Sequence, residues 1–158
     1  MVKMEEQAKN IEMAESFLRR ASNKLNEAKE HLESGHYPES ISASQECIEL
    51  SIKAIFMLLQ AEYPKKHEFS EEEFEAILKK MPEKLKHLDF HKLYLYSKFW
   101  LSFYKVAKYG LEKIGVGPEK LFEKKEAELA LKHANKCYDA ASRLLGRVYY
   151  IKYFGDKK

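Results

Sequence analysis

Glycine, proline and cysteine are all scarce in this sequence. Its 158 residues include 6 Gly, 4 Pro and 2 Cys. Because glycine and proline punctuate the turns between strands, their scarcity argues against many short strands and favours a few long elements. The two cysteines, Cys47 and Cys137, both fall inside helical patterns, so a disulfide framework is not indicated. We expect both thiols to be small core residues of a protein in a reducing compartment.

Long apolar runs are missing as well. No uncharged stretch approaches the roughly 18 residues that a membrane span needs. The first ten residues, MVKMEEQAKN, lack the apolar core of a signal peptide. We therefore expect a cytoplasmic protein without a membrane partner.

Charge, in contrast, is abundant and unevenly distributed. Residues 1–62 carry 7 Lys and Arg against 11 Asp and Glu, whereas residues 63–158 carry 21 against 14. An anionic partner should therefore meet the second half of the chain. The basic residues are mainly Lys and the acidic ones mainly Glu, a weighting seen in hyperthermophile proteins, which suggests a thermophilic source.

Apolar residues recur at steps of three and four in four long segments and one short one. Gly35 should end the first helix, Pro38 should open the second, and Ser70 with Glu73 forms a capping box for the short helix. The strongest loop signal is the stretch from Gly115 to Pro118. The predicted helices cover about residues 11–34, 38–61, 71–80, 90–114 and 124–145.

These helices predict a fold of the all-α class. Since the link between the first two helices is short, they must run antiparallel, and we predict an antiparallel bundle of four long helices plus one short helix over residues 1–146. Residues 147–158, RVYYIKYFGDKK, form an aromatic-basic tail. The tail either docks on the bundle or binds a partner.

The fourth predicted helix has an unusually wide apolar face. Placed at 100° per residue, its polar residues gather in one arc and leave roughly 220° to apolar side chains, more than one bundle core normally takes from a surface helix. Either the helix is central and covered by its own bundle, or the excess face meets a second copy. We predict a homodimer, with Phe99, Trp100 and Phe103 as candidate interface residues.

Several short motifs, in order and at their spacing, resemble the HEPN family. The second helix carries ASQECIELSIKA over residues 43–54, with a Gln, a Glu and a Lys-Ala pair typical of that family. A glycine and an aromatic precede it, a proline and a histidine follow it, and further similarities lie downstream. The matching segments are 35–37, 64–67, 107–110, 121–122 and 127–130.

The resemblance implies a compact bundle, usually dimeric, from prokaryotic toxin–antitoxin or defence systems, in which many members pair with a small nucleotidyltransferase. Active members are metal-independent ribonucleases that use an Arg followed after four to six residues by a His. No His follows Arg19, Arg20, Arg143 or Arg147 at that spacing, and the expected region reads KVAKY over residues 105–109. We therefore predict no catalytic residues and no cofactor, and a noncatalytic interaction protein that pairs with a nucleotidyltransferase.

Two other functions remain open. In the first, a nucleotide- or RNA-binding module, Lys98, Lys105 and Lys108 would hold phosphates while an aromatic such as Tyr109 stacks on a base; the alternative is a solvated lysine face. His67, on the loop after the second helix, is a further candidate for nucleotide or RNA binding. In the second function, a diverged ribonuclease, its imidazole could act near neutral pH. The alternative is a structural role, in which His67 satisfies the end of the second helix or caps its neighbour.

A metal site is not predicted. His87 and His91 are four residues apart, a spacing that can place two ligands on one helix face, but no third ligand is evident.

Overall fold

The structure, a computed structural model, describes residues 2–59 and 68–155. Within those ranges the chain is almost entirely helical, which confirms the all-α class. Short 3₁₀ helices occupy Glu83–Leu88, Glu112–Ile114 and Pro118–Lys120. The α-helices are α1 (Val2–Glu33), α2 (Tyr37–Leu58), α3 (Glu71–Leu78), α4 (Phe90–Leu101), α5 (Tyr104–Tyr109) and α6 (Lys124–Phe154).

Helix α2 is the centre of the bundle, and 16 of its 22 residues are buried. It packs mainly against α1 and α6, while α4 and α5 cover its remaining side. Small side chains allow close approach: the Ser40 hydroxyl donates to the Ala28 carbonyl of α1 at 2.7 Å, and the Cys47 thiol lies 3.9 Å from the Ala134 carbonyl of α6. Every other long helix is therefore positioned by its contact with α2.

The connection between α1 and α2 follows the predicted signals. Gly35 adopts a positive φ of 78°, which glycine tolerates because it has no Cβ. The His36 amide donates back to the His31 carbonyl at 2.8 Å, and Pro38 stands in the first turn of α2. The short link reverses the chain and confirms the antiparallel pairing of the two helices.

Helix α3 begins at the predicted capping box. The Glu73 amide donates to the Ser70 hydroxyl at 3.1 Å, and the Ser70 amide donates to the Glu73 carboxylate at 3.2 Å. Phe74 of α3 lies edge-on to Phe56 of α2 and contacts the ring of Tyr94 in α4. This aromatic contact fixes α3 across the ends of α2 and α4.

The predicted fourth helix, residues 90–114, is not continuous. Helix α4 ends at Leu101, and the Ser102 hydroxyl bonds the Phe99 carbonyl at 2.5 Å, a local bond that competes with the helical pattern. The separate helix α5 ends at Tyr109, because Gly110 turns the chain with a φ of 70°. Beyond it, Leu111 and Val116 pair as an isolated antiparallel bridge and close a tight loop.

The last helix is longer than predicted. Helix α6 runs from Lys124 through Gly146 to Phe154, instead of ending near Leu145. A single glycine costs a helix only about 1 kcal/mol relative to alanine, and the residues around it favour helix. The first part of the predicted tail is therefore the end of α6.

Both cysteines are buried and unpaired, as expected. Burial raises the pKa of the Cys47 thiol to about 12 and that of Cys137 well above its ordinary value. Among the described residues, no helix combines the length and apolarity that a membrane span requires.

Gly110 and Gly146 give a matched pair of substitutions. A Cβ on Gly110 would lie 2.2 Å from the Val116 carbonyl oxygen, whereas one on Gly146 would meet nothing within 4 Å. We expect Gly110→Ala to lower the free energy of unfolding by at least about 2 kcal/mol, and Gly146→Ala to raise it by roughly 0.5–1 kcal/mol. Urea denaturation of both variants measures this. Equal effects of the same sign would contradict the loop geometry described above.

Candidate functional site

Exposed apolar side chains are concentrated between residues 95 and 114. Of the ten large hydrophobic residues that are exposed in the described part of the chain, five lie in this stretch. Leu95 is 61% exposed and Ile114 is 70% exposed. Concentrated exposed apolar side chains are typical of interaction surfaces, and we call this set the α4–α5 face. Its members are Leu95, Phe99, Tyr109, Leu111 and Ile114.

The three candidate interface residues have different surroundings. Phe99 is exposed, and Phe103 is half-buried with its ring edge-on to Phe99 and to Phe122. Trp100 is only 2% exposed and belongs to the core of its own bundle, so its side chain has almost no surface to offer a second copy. Leu95, one turn before Phe99, is the outward apolar neighbour instead.

Trp100 is held by a polar contact that sequence reasoning missed. Its indole N–H donates to Nδ1 of His133 in α6 at 2.9 Å. The ring of Tyr96 stacks on the same imidazole, with centroids 3.9 Å apart and planes 12° apart. Since Nδ1 must accept this bond, the neutral imidazole carries its proton on Nε2. The contact fastens α4 to α6 and requires a neutral His133.

The electrostatics of His133 favour that neutral form. Burial lowers the pKa of the imidazole below its ordinary value of 6.5, and the positive charges of Lys136 and Lys132 lower it further. A signal for this residue was present in the sequence, because His133 shares the apolar stripe of α6 with Ala130 and Cys137. A lone histidine on such a stripe has to find a partner when it is buried.

Two of the three candidate phosphate-binding lysines are paired within the protein. Lys98 forms an ion pair with Glu68 and lies 5.6 Å from the ring centre of Tyr94. The hydrogen bond to Glu68 raises the pKa of Lys98. These contacts hold Lys98 against the segment that precedes α3.

Lys108 donates to the Tyr104 hydroxyl at 2.7 Å, which raises the pKa of Lys108. Its ammonium also lies 3.9 Å from the Glu46 carboxylate, which Lys24 of α1 approaches to 3.1 Å. Lys108 therefore takes part in a charge cluster that joins α1, α2 and α5.

The remaining pair of candidates, Lys105 and Tyr109, line one cavity. Its volume is about 380 Å³, and its other walls come from the loop after α5, including Leu111 and Ile114. The Lys98 and Lys108 side chains are not among its walls. The lining is mostly apolar and also includes Lys105, Lys113 and Glu112, so the cavity can hold an apolar or planar group beside a charged one. It contains no histidine or cysteine that could serve in acid–base or nucleophilic chemistry.

The candidate histidines are not assembled into a site. His67 lies outside the described residues. His87 stands in a 3₁₀ helix and His91 in α4, with Asp89 in a left-handed conformation between them, and the two histidines line different cavities. Within residues 2–59 and 68–155, no group of three or more His, Cys, Asp or Glu side chains is placed to hold a metal ion.

Comparison with known proteins supports the resemblance seen in the sequence. The family model described as "HEPN domain" matches residues 14–144. A 55-residue stretch is 42% identical to "Putative toxin MJ1304" of Methanocaldococcus jannaschii, and this match covers 35% of the chain and 36% of that protein. The chain thus spans about a third of that relative's length. No solved structure matches the chain significantly.

The contact between Trp100 and His133 predicts a pH dependence. The pKa of His133 is lower in the folded protein than its ordinary value of 6.5. The neutral imidazole therefore contributes fully to stability above pH 6.5. This contribution is lost as the pH falls from 6.5 towards the lower pKa of the folded protein. Trp100 is the only tryptophan, so its fluorescence reports directly on the imidazole. We expect an emission change with a midpoint below pH 6.5.

The variant His133→Asn retains an acceptor for the indole but does not titrate. In this variant the emission change should be absent. Its melting temperature should fall less between pH 7 and pH 5 than that of the wild type. Substitution of the exposed His91 by Asn is the matched control and should behave like the wild type. If His133→Asn titrates as the wild type does, the assigned contact is wrong.

Proposed function

The chain belongs to the HEPN domain family, and we propose that it is a dimeric, noncatalytic interaction protein that pairs with a small nucleotidyltransferase. The proposed setting is a prokaryotic toxin–antitoxin or defence-type system. The toxin name of the Methanocaldococcus jannaschii relative supports this setting. The α4–α5 face is the observation that carries the proposal.

The α4–α5 face supports a second copy as its partner. Leu95 and Phe99 are one turn apart on α4 and both point away from the bundle. Two copies that meet through the same apolar patch form an isologous interface, the commonest kind in soluble homo-oligomers. Burying such side chains removes apolar surface from water at roughly 25 cal/mol per Å².

The chemistry of the cavity supports a noncatalytic role. Its lining contains no histidine or cysteine, the side chains that most often act as general base or nucleophile near neutral pH. The sequence also has no Arg followed by a His at the spacing that active relatives use. The family's ribonuclease chemistry is therefore not carried over to this chain.

A second candidate function is favoured by the same cavity. The mostly apolar recess is lined by Tyr109 and by two lysines, Lys105 and Lys113, against one carboxylate, Glu112, a set that suits a base and its phosphate. In this version the dimer presents a nucleotide or RNA to its partner without cleaving it.

Dimerisation is tested by sedimentation equilibrium at micromolar concentration. We expect twice the chain mass of 18.6 kDa. Both Leu95→Asp and Phe99→Asp should raise the dissociation constant at least about a hundredfold, because each buries an unpaired charge. Leu129→Asp, at an exposed leucine of α6, is the matched control and should remain dimeric. A monomeric wild type would contradict the proposal.

The noncatalytic role is tested with unstructured RNA and highly purified protein in the presence of a chelator. Loss of a general acid or base costs roughly 10²- to 10⁴-fold in rate, so we expect no cleavage above the buffer control. Cleavage that disappears in His67→Ala or Lys105→Gln, but persists in Lys125→Gln, would support a diverged ribonuclease instead.

A further inference from the structure

The end of α6 presents a second exposed surface, distinct from the α4–α5 face. Tyr153 is 65% exposed and Phe154 is 67% exposed, and Tyr150 is exposed beside them. They share the last two turns with Arg147 and Lys152. We call these five residues the aromatic-basic helix end. It lies beyond residues 14–144, the part that matches the family, so its role does not follow from the family.

The rings of this helix end are ordered in pairs. Tyr149 and Tyr153 stack with centroids 5.8 Å apart and planes 8° apart, and Tyr150 lies 5.5 Å from Phe154. Both pairs are spaced by four residues, so each forms a column along the helix. Tyr150, Tyr153 and Phe154 are the exposed members of these columns.

Cations accompany the rings. The Arg147 guanidinium lies 5.3 Å from the ring centre of Tyr150, and the Lys152 ammonium lies 5.4 Å from that of Tyr153. Across residues 147–158 the sequence has four basic residues and one acidic residue. The helix C-terminus contributes roughly −0.5 of a charge, so the segment as a whole remains positive. An anionic partner is therefore favoured.

The inward-facing side chains of the same turns help to distinguish two anionic partners, a membrane surface and a nucleic acid. The aliphatic residues Val148 and Ile151 are half-buried, and Val148 and Tyr149 pack against the core. A helix that lies in a membrane surface presents a broad apolar face of Trp, Phe and Leu to the lipid and carries its Lys and Arg on the opposite face. Here the aliphatic side chains are turned inward, and the exposed side chains are three rings and a cation, Tyr150, Tyr153, Phe154 and Lys152. Rings with a cation beside them suit a stacking platform for bases.

We propose that the aromatic-basic helix end binds single-stranded nucleic acid. Unpaired bases stack on Tyr150, Tyr153 and Phe154, and Arg147 and Lys152 contact the neighbouring phosphates. Stacking of this kind is tolerant of sequence, because every base has an aromatic face. The surface is thus a general single-strand binder that stands apart from the cavity at Lys105.

The test is fluorescence anisotropy of the full chain with a labelled, unstructured RNA of about 12 nucleotides. The triple substitution Tyr150→Ala, Tyr153→Ala and Phe154→Ala should weaken binding about tenfold for each base that leaves the stack. The double substitution Tyr150→Phe and Tyr153→Phe retains the rings and should bind as the wild type does. Since all three side chains are exposed, thermal melting should show both variants to be folded.

Two variants that each remove one positive charge distinguish a local phosphate contact from the overall electrostatic attraction between protein and RNA. Lys152→Gln should weaken binding and reduce the log–log salt slope by roughly 0.7, the value for one phosphate contact on a single strand. Lys125→Gln removes the same charge at the opposite end of α6 and should change neither. A duplex of the same sequence should bind at least about tenfold more weakly, because its bases are not free to stack.

Several results would overturn the proposal: no binding of the RNA at low salt, wild-type affinity in the triple alanine variant, or equal effects of Lys152→Gln and Lys125→Gln. Duplex binding as tight as single-strand binding would do the same. So would cosedimentation with anionic lipid vesicles in place of RNA binding. Binding that survives the alanine substitutions but is lost in Tyr109→Ala would move the site to the cavity beside α5.

Discussion

The burial of α2 between α1, α6 and the α4–α5 segment is the constraint on which the rest of the structure depends. A helix surrounded on all sides must satisfy its polar groups internally. Ser40 does so through the Ala28 carbonyl, and Glu49 pairs with Lys53 at 2.8 Å. Within the described structure, the Ser44 hydroxyl and the Gln45 side-chain oxygen have no hydrogen-bond partner. These two groups are a cost that the apolar contacts of α2 must outweigh.

Because α2 occupies the centre, α4 can bury only part of its apolar surface. The inner side holds Trp100, which is anchored to His133, and the outer side leaves Leu95 and Phe99 in contact with water. After the break at Leu101, α5 and its loop carry three further exposed apolar side chains, Tyr109, Leu111 and Ile114. A chain that buries most of its central helix thus retains exposed apolar side chains on α4, and a partner is proposed for that face.

Local signals in the sequence correctly predicted the ends of helices. Gly35 with Pro38, and Ser70 with Glu73, fixed helix ends because each acts on its immediate neighbours. The break after Leu101 was missed because apolar spacing continues across Ser102. Of the candidate binding residues, Lys105 and Tyr109 are one turn apart on α5 and line the same cavity, whereas Lys98 lies on a different helix. His133 could not be assigned from spacing alone, since its partners Trp100 and Tyr96 reach it from another helix.

The central claim, a noncatalytic dimer that pairs with a nucleotidyltransferase, is tested most directly by native mass spectrometry. The full chain would be coexpressed with a candidate small nucleotidyltransferase and purified through a tag on that enzyme. We expect a complex that contains two copies of this chain, and its loss when Leu95→Asp and Phe99→Asp are combined. A spectrum with only the free enzyme, or with a single copy of the wild-type chain, would contradict the claim.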